Sequence, residues 1–244
     1  MFPMLGPTLF RASAFSFFIF VCGSMHNFIL PKERYSTETF ALLTPYLTFL
    51  VLNVIYYISA NALQITGSKV VHGALFCVTF SMSLLVCLMF WALFLYDKEL
   101  LVKSSKIDVL PMWFHHAAHT AGPFLNLIDA ILWRPYAPFF PSLVLLSAFA
   151  GGYIYLLEHL IRFHQFYPYP ILQNLSDHDR FVFYGVCLFL SLLCLFVAHT
   201  CTSLLSPSSK AITAKEKTNA NNAAAPATGA RSATGRPKKL RKAD

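Results

Sequence analysis

Residues 70–95 read VVHGALFCVTFSMSLLVCLMFWALFL and contain no Asp, Glu, Lys or Arg. A helix of about 20 apolar residues crosses the hydrocarbon core of a bilayer, so this segment is long enough to span a membrane. Its apolar residues follow one another without alternating with polar ones, which favours a helix over a strand of a membrane barrel. The segment therefore predicts a transmembrane helix.

Five further apolar runs have similar length, and they lie at about 13–30, 45–64, 110–132, 138–161 and 181–204. Most charges of residues 1–204 fall in the connections between the runs. No internal repeat and no soluble domain is visible. The sequence predicts an all-α, polytopic membrane protein with six transmembrane helices in one domain, residues 1–204.

The composition excludes several classes of protein. Of the 244 residues, 56% are hydrophobic and only 12% are charged, whereas a soluble domain carries roughly 25% charged residues. The composition excludes a soluble enzyme, a disordered chain and a DNA-reading domain. Six cysteines lie inside apolar runs without a CxxC motif, so they are expected to pack as small apolar side chains.

The basic character of the chain belongs to its C-terminal segment. Nine of the 19 Lys and Arg residues lie from Leu205 onward, against the acids Glu216 and Asp244. Residues 205–244 are rich in Ala, Asn, Thr, Gly and Pro, which predicts a disordered basic tail and no nucleic-acid partner. Arg241 and Lys242 resemble a retrieval signal, which favours the endoplasmic reticulum over the plasma membrane as the location. The alternative interpretations of these terminal basic residues are a segment that binds anionic lipid or a solvated tail.

Six spans place both termini on the same side of the membrane. Arg11, Lys69, Arg134 and the tail give that side twelve basic residues against seven, which predicts cytosolic termini. Asn174 begins a glycosylation sequon in the last connection; it is close to the sixth run, and its glycosylation stays open. The first run is interpreted as an uncleaved span, with a cleaved signal peptide as the alternative.

The fourth run contains the densest group of ionisable residues. Residues 113–123 read WFHHAAHTAGP, with His115, His116 and His119 inside five positions. Ionisable groups in a membrane are costly and mark functional sites. Pro123 has no N–H for the carbonyl of His119 and should kink the helix there. The alternative interpretation is an ordinary proline kink.

The second run begins with a threonine-rich turn. Thr44 and Pro45 read as an N-cap and a first helical residue, and Thr48 follows in the first turn. Such a threonine could act as a nucleophile if a base reached it, although a helix-end threonine is the simpler interpretation. A helix start at residue 45 places Thr48 roughly 5 Å deep and His119 roughly 14 Å deep. A start near Thr39 would close that difference.

Three groups of residues occur in an order that resembles a known family. They are YLTFL at 46–50, the ordered set from Phe90-Trp91 through YDKE at 96–99 to Pro111, Trp113, His116 and His119-Thr120, and YPIL at 169–172. Over about residues 10–205 the chain resembles the androgen-induced gene and androgen-dependent TFPI-regulating proteins. That family consists of multi-pass membrane hydrolases of fatty acid esters of hydroxy fatty acids.

The resemblance implies a catalytic pair. It makes Thr48 the nucleophile and His119 the general base, with a lipid ester as substrate, membrane lipids as surroundings and no cofactor. His115 departs from the family pattern, and His116 and Asp129 are possible supporting residues. Asp129 is also interpreted as a helix-end acid near the interface, and Asp97 and Glu158 are weaker supporting acids. The oligomeric state stays open.

Two other functions fit the same residues. His115 and His119 are four positions apart on one helix face and could ligate a metal or haem. A transporter, receptor or scaffold without enzymatic activity also fits six spans with short loops. The paired broken helices typical of transporters are absent from the sequence pattern.

Overall fold

The computed structural model describes residues 5–29, 37–65, 68–101, 111–133 and 136–205. Within these ranges every regular element is helical and no strand occurs. The predicted tail at 205–244 lies outside the described residues apart from Leu205, which ends a helix. The predicted all-α class is confirmed for the described part of the chain.

Five long helices form the body of the protein. They are α1 (Leu5–Ile29), α2 (Thr37–Ile65), α3 (Lys69–Tyr96), α6 (Phe139–His164) and α8 (Asp177–Leu205). The fourth apolar run is divided into α4 (Met112–His115), a π-helical turn (His116–Thr120) and α5 (Ala121–Trp133). A 3₁₀ turn (Lys98–Leu100) and the short α7 (Pro170–Gln173) lie in connections.

Four of these helices are long and apolar enough to cross a membrane. The qualifying segments are Leu5–Ser24, Lys69–Tyr96, Phe139–His164 and Asp177–Leu205. In α2 the apolar part is shorter, Leu47–Leu63, and the π-helical turn interrupts the fourth run. The structure thus gives four candidate spans where the sequence predicts six.

Helix α3 lies at the centre of the bundle and contacts α2, α5, α6 and α8. Its stretch from His72 to Ser83 is almost fully buried and includes small residues such as Gly73, Ala74 and Ser81. Large apolar side chains such as Leu95 and Phe140 point outward. Lipid solvates such side chains as well as a protein core does, so close packing of small residues is what favours helix association here. The six cysteines are free thiols; Cys77 and Cys194 are buried and the other four are half-buried.

The connection between α5 and α6 passes directly over Gly73. A Cβ atom at this position would lie 1.5 Å from the carbonyl oxygen of Tyr136 and 2.8 Å from Cδ of Pro138. Only a residue without a side chain allows this approach. Gly73 therefore fixes the start of α6 against α3.

One predicted position of a charged residue is wrong. The sequence places Arg11 before the first apolar run, but it lies inside α1 with 0% of its side chain exposed. Asp129, four residues before the end of α5, is equally buried. Arg11 Nε donates to Asp129 Oδ1 at 2.8 Å and Nη2 donates to Oδ2 at 3.1 Å. The Arg11 guanidinium also lies 4.8 Å from the centre of the Trp133 ring.

Candidate functional site

The three histidines of the fourth run lie at the π-helical turn. The N–H of Ala121 donates to the carbonyl of His116, five residues earlier, so the turn holds one residue more than an α-turn. Pro123 cannot donate to the carbonyl of His119, and a local π turn is one way in which membrane helices satisfy freed backbone groups. The disturbance predicted from Pro123 thus takes the form of a wider turn that carries His119.

His115, His119 and Phe90 form a stack that we call the histidine wall. The rings of His119 and Phe90 are 3.7 Å apart at an interplanar angle of 15°, and those of His115 and Phe90 are 5.3 Å apart. The two histidine rings are nearly parallel with centroids 6.3 Å apart. Both Nδ1 atoms are buried and have no hydrogen-bond partner among the described residues. The histidine wall therefore contains two buried nitrogens, Nδ1 of His115 and Nδ1 of His119, that can donate or accept a hydrogen bond and have no partner among the described residues.

His116 lies on the other side of the turn and does not join the histidine wall. Its ring is exposed and tilts against Trp91 at 4.8 Å. Trp91 Nε1 donates to Thr120 Oγ1 at 2.8 Å, and His116 Nδ1 lies 3.4 Å from the same oxygen. These contacts fasten the π-helical turn to α3. His116 therefore lies outside the histidine wall and helps to hold the π-helical turn against α3.

Two hydrogen-bonded pairs connect α2, which carries Thr48, with α5, which follows the π-helical turn that carries His119. The hydrogen-bonded pairs Tyr57–Asn126 and Tyr56–Asp129 join α2 to α5 with residue separations of 69 and 73. Thr48 and His119 are 71 residues apart. Helix α2 begins at Thr37, well before residue 45, and its apolar part begins at Leu47; the relative depth of Thr48 and His119 stays a prediction.

The direction of Thr48 around α2 differs from that of the residues that contact α5. By the helical repeat, Thr48 lies about 80° from Tyr56 and about 180° from Tyr57, and Tyr57 stacks on Phe18 of α1 at 5.9 Å. Ile55 is about 20° from Thr48 and is 48% exposed. Thr48 is half-buried. It lies on the edge of α2 between the protein interior and the outer surface.

The YPIL segment reaches this edge through Tyr153. The hydroxyls of Tyr153 and Tyr169 are 2.8 Å apart, and the Tyr153 ring packs edge-on against Phe49 at 4.9 Å. Phe49 follows Thr48 in the chain. Burial raises the pKa of Tyr169 to about 12, so its hydroxyl is neutral. The segments that carry the family resemblance thus meet in space.

The carboxylates proposed as supporters of His119 are engaged elsewhere. Asp129 accepts hydrogen bonds from Arg11 and Tyr56, and it lies about 15 Å further along the helix than His119. Asp97 caps the N–H of Glu99. Glu158 is bonded to Tyr184 at 2.9 Å and forms ion pairs with Arg162 and Arg180. The described contacts give His119 no carboxylate partner from this set.

A polar column below His119 is not evident from sequence reasoning. Asn53 Nδ2 donates to Ser83 Oγ at 3.1 Å, Asn126 Nδ2 donates to Asn53 Oδ1 at 3.2 Å, and Tyr57 Oη donates to Asn126 Oδ1 at 3.0 Å. These bonds join α2, α3 and α5. A Cβ on Gly122 would lie 2.9 Å from Ser83 Oγ. The sequence feature that could have indicated this column is the presence of two asparagines, Asn53 and Asn126, within apolar runs.

Metal ligation requires more donors than the histidine wall supplies. Within the described ranges, no three His, Cys, Asp or Glu side chains come close enough together to hold a metal ion. His115 and His119 alone offer two imidazoles. Their arrangement against Phe90 suits an apolar ligand with one polar group.

Comparison with known proteins gives one family and several partial relatives. The chain is 33% identical over 125 residues to a human androgen-dependent TFPI-regulating protein, covering 50% of each chain. It is 30% identical over 117 residues to a UPF0641 membrane protein of Schizosaccharomyces pombe, covering 46% of this chain and 52% of the relative. Human androgen-induced gene 1 protein is 24% identical over 109 residues, covering 44% and 46%.

These matches span about half the length of the curated relatives. No solved structure matches the chain. The model of the family described as FAR-17a/AIG1-like protein covers residues 6–202. That range contains both the histidine wall and the Thr48 edge. Because the match extends over most of the chain, this apolar, all-helical protein belongs to the FAR-17a/AIG1-like family.

Proposed function

We propose that the protein is an intramembrane ester hydrolase that cleaves fatty acid esters of hydroxy fatty acids, with Thr48 as nucleophile and His119 as general base. The observation that carries the proposal is the Nδ1 of His119, which is buried without a hydrogen-bond partner among the described residues. A buried imidazole nitrogen that lacks a partner costs free energy unless a ligand or substrate group satisfies it. The Thr48 hydroxyl, with an ester bound beside it, would provide that partner.

The reaction takes place in two halves. Nδ1 of His119 accepts the proton of the Thr48 hydroxyl while the Thr48 oxygen bonds to the carbonyl carbon of the ester. The tetrahedral intermediate then expels the alcohol oxygen of the hydroxy fatty acid, which takes the proton from His119. Water hydrolyses the acyl ester on Thr48 and restores its hydroxyl. No cofactor enters this scheme.

The edge position of Thr48 suits a substrate that arrives from the bilayer. Ile55 lies on the same stripe of α2 and is exposed, and lipid esters partition into hydrocarbon. An ester can therefore approach Thr48 sideways with its acyl chain still in the membrane. Thr48 lies about 80° around α2 from Tyr56, which contacts α5. Its hydroxyl therefore has to reach His119 across the edge of α2, either directly or through one water.

The proposed membrane topology adds two spans to the four candidate spans. In the proposal α2 and the α4–α5 segment also cross the bilayer, giving six spans with both termini in the cytosol. The basic residues beyond Leu205 dominate this assignment. The endoplasmic reticulum is the proposed location, with the plasma membrane as the alternative.

The test is hydrolysis of a fatty acid ester of a hydroxy fatty acid by membranes that contain matched amounts of each variant. Thr48→Ala and His119→Gln are expected to lose activity, whereas Thr48→Ser retains it. Thr200→Ala and His164→Gln serve as controls, since both side chains are exposed and lie on other helices. Residual activity in Thr48→Ala alone would identify His119 as a base acting on water. Full activity in both variants would show that neither residue is catalytic, and wild-type protein no more active than membranes without it would favour a scaffold or transporter.

A further inference from the structure

The second imidazole of the histidine wall has no assigned task in the reaction above. His115 is 5% exposed, and its ring packs between Phe90 at 5.3 Å and Phe94 at 5.5 Å. Its Nδ1 is buried without a partner among the described residues, like the Nδ1 of His119. Aromatic packing alone would be served as well by Phe or Leu. A buried imidazole nitrogen without a partner is available to bind a water or a polar ligand group, and at His115 this nitrogen lies in the same aromatic stack as His119.

We propose that His115 is the general base of the second half-reaction, in which water removes the acyl group from Thr48. This inference rests on the proposed function and assigns a separate base to deacylation. His119 serves the attack of Thr48 on the ester, and His115 serves the attack of water on the acyl–Thr48 intermediate. The two nearly parallel rings have centroids 6.3 Å apart, which is close enough for one bound ester to lie against both.

The position of each histidine along the helix explains the division. His115 is four residues closer than His119 to the start of α4 at Met112, which corresponds to about 6 Å along the helix axis. Water is scarce in hydrocarbon and more plentiful toward the membrane surface. The histidine nearer the helix start is therefore the better placed to bind the attacking water.

The proposed step balances in protons and bonds. Nδ1 of neutral His115 takes one proton from water as the water oxygen bonds to the acyl carbon. The bond between that carbon and the Thr48 oxygen then breaks, and the proton held by His115 passes to the Thr48 oxygen. The products are the free fatty acid, the Thr48 hydroxyl and neutral His115. His119 is neutral throughout this half because it gave its proton to the departing alcohol.

The experiment follows the two half-reactions separately with a p-nitrophenyl ester of a long-chain fatty acid and the full-length protein in detergent. In His115→Gln and His115→Phe we expect a burst of p-nitrophenol equal to one turnover, followed by a steady-state rate at least 100-fold below wild type. Mass spectrometry of the stalled protein should find one acyl group on Thr48. His119→Gln should show neither the burst nor the acyl group.

The Phe variant separates packing from proton transfer. It keeps an aromatic ring between Phe90 and Phe94, so a purely structural role for His115 predicts near-normal turnover in His115→Phe and no accumulated intermediate. Hydroxylamine, which attacks esters without a general base, should restore turnover of both His115 variants. His164→Gln, at the exposed end of α6, is the control and should behave as wild type.

Different failures have different meanings. Equal loss of burst and steady-state rate in the His115 variants, or unchanged turnover, overturns the assignment of His115 and leaves the Thr48–His119 pair standing. A wild-type protein without hydrolysis, or an acyl group that forms on Thr48→Ala, overturns the proposed function together with this inference.

Discussion

The guanidinium of Arg11 in α1 hydrogen-bonds both carboxylate oxygens of Asp129 in α5, 118 residues later in the chain. Both side chains are fully buried. Tyr56 of α2 donates to the same carboxylate, and His72 of α3 lies 3.4 Å from the guanidinium. One ion pair thereby links four helices of the bundle.

Removal of one partner of this pair should be strongly destabilising. Asp129→Leu leaves the Arg11 charge buried without compensation, and Arg11→Leu does the same to Asp129; each is expected to cost about 3–5 kcal/mol. The double variant, which buries no charge, should recover much of that loss. Unfolding of the purified variants in mixed detergent measures the coupling as a double-mutant cycle. Strictly additive losses would show that the pair contributes no coupling.

A methyl group at position 73 should be poorly tolerated. Gly73→Ala places Cβ against the Tyr136 carbonyl, so backbone has to move, at a cost of about 3 kcal/mol or more. Gly152→Ala is the matched control, because a Cβ there meets no atom within 4 Å. Thermal unfolding of both variants in detergent is the measurement. Equal melting temperatures would contradict the close approach between α3 and the α5–α6 connection.

Gly122→Ala should impair catalysis more than stability. Its Cβ would lie 2.9 Å from Ser83 Oγ, which forces α5 away from α3 just below His119. Lower kcat with a small change in melting temperature is expected. Adding Ser83→Gly removes the obstructing atoms, so the double variant should regain activity. A double variant as slow as Gly122→Ala would disprove the steric explanation.

The bond between Trp91 and Thr120 should matter for the orientation of the π-helical turn. Trp91→Phe and Thr120→Val each remove the 2.8 Å hydrogen bond and should cost about 0.5–1.5 kcal/mol of stability. If the bond orients His119, kcat falls in each variant, and combining the two adds little further loss. Fully multiplicative losses of kcat would mean that the two residues act independently.

The pattern of apolar runs predicts the helices well where apolar residues follow one another without interruption. The run at 70–95 coincides with α3 within one residue at each end, because unbroken apolar sequence leaves the backbone no alternative to a helix in lipid. The start of α2 was misplaced because Thr44-Pro45 reads as a helix start, although helix geometry begins at Thr37. A proline in the first turn looks the same whether a helix begins at it or runs through it.

The partners of buried polar residues could not be predicted from sequence. Arg11 next to an apolar run looks like a flanking loop charge, and only the tertiary arrangement shows the carboxylate that compensates it. The π-helical turn was foreseen as a kink at Pro123, since the missing N–H is visible in the sequence while the backbone's response to it is not. The histidine group and Pro123 single out His119 in the sequence, the resemblance supplies its role as base, and the parallel packing of His115 required the structure.

The distance in sequence between Arg11 and Asp129 has a consequence for biosynthesis. A ribosome that has made α1 must add 118 further residues before the carboxylate that neutralises Arg11 exists. Until then the first helix has to remain in the translocon or the bilayer with an uncompensated guanidinium, at a cost of about 2.5–3.5 kcal/mol on translocon scales. A nascent chain that stops before α5 therefore keeps an exposed charge in its first helix, which distinguishes unfinished molecules from complete ones for the cell's quality-control machinery.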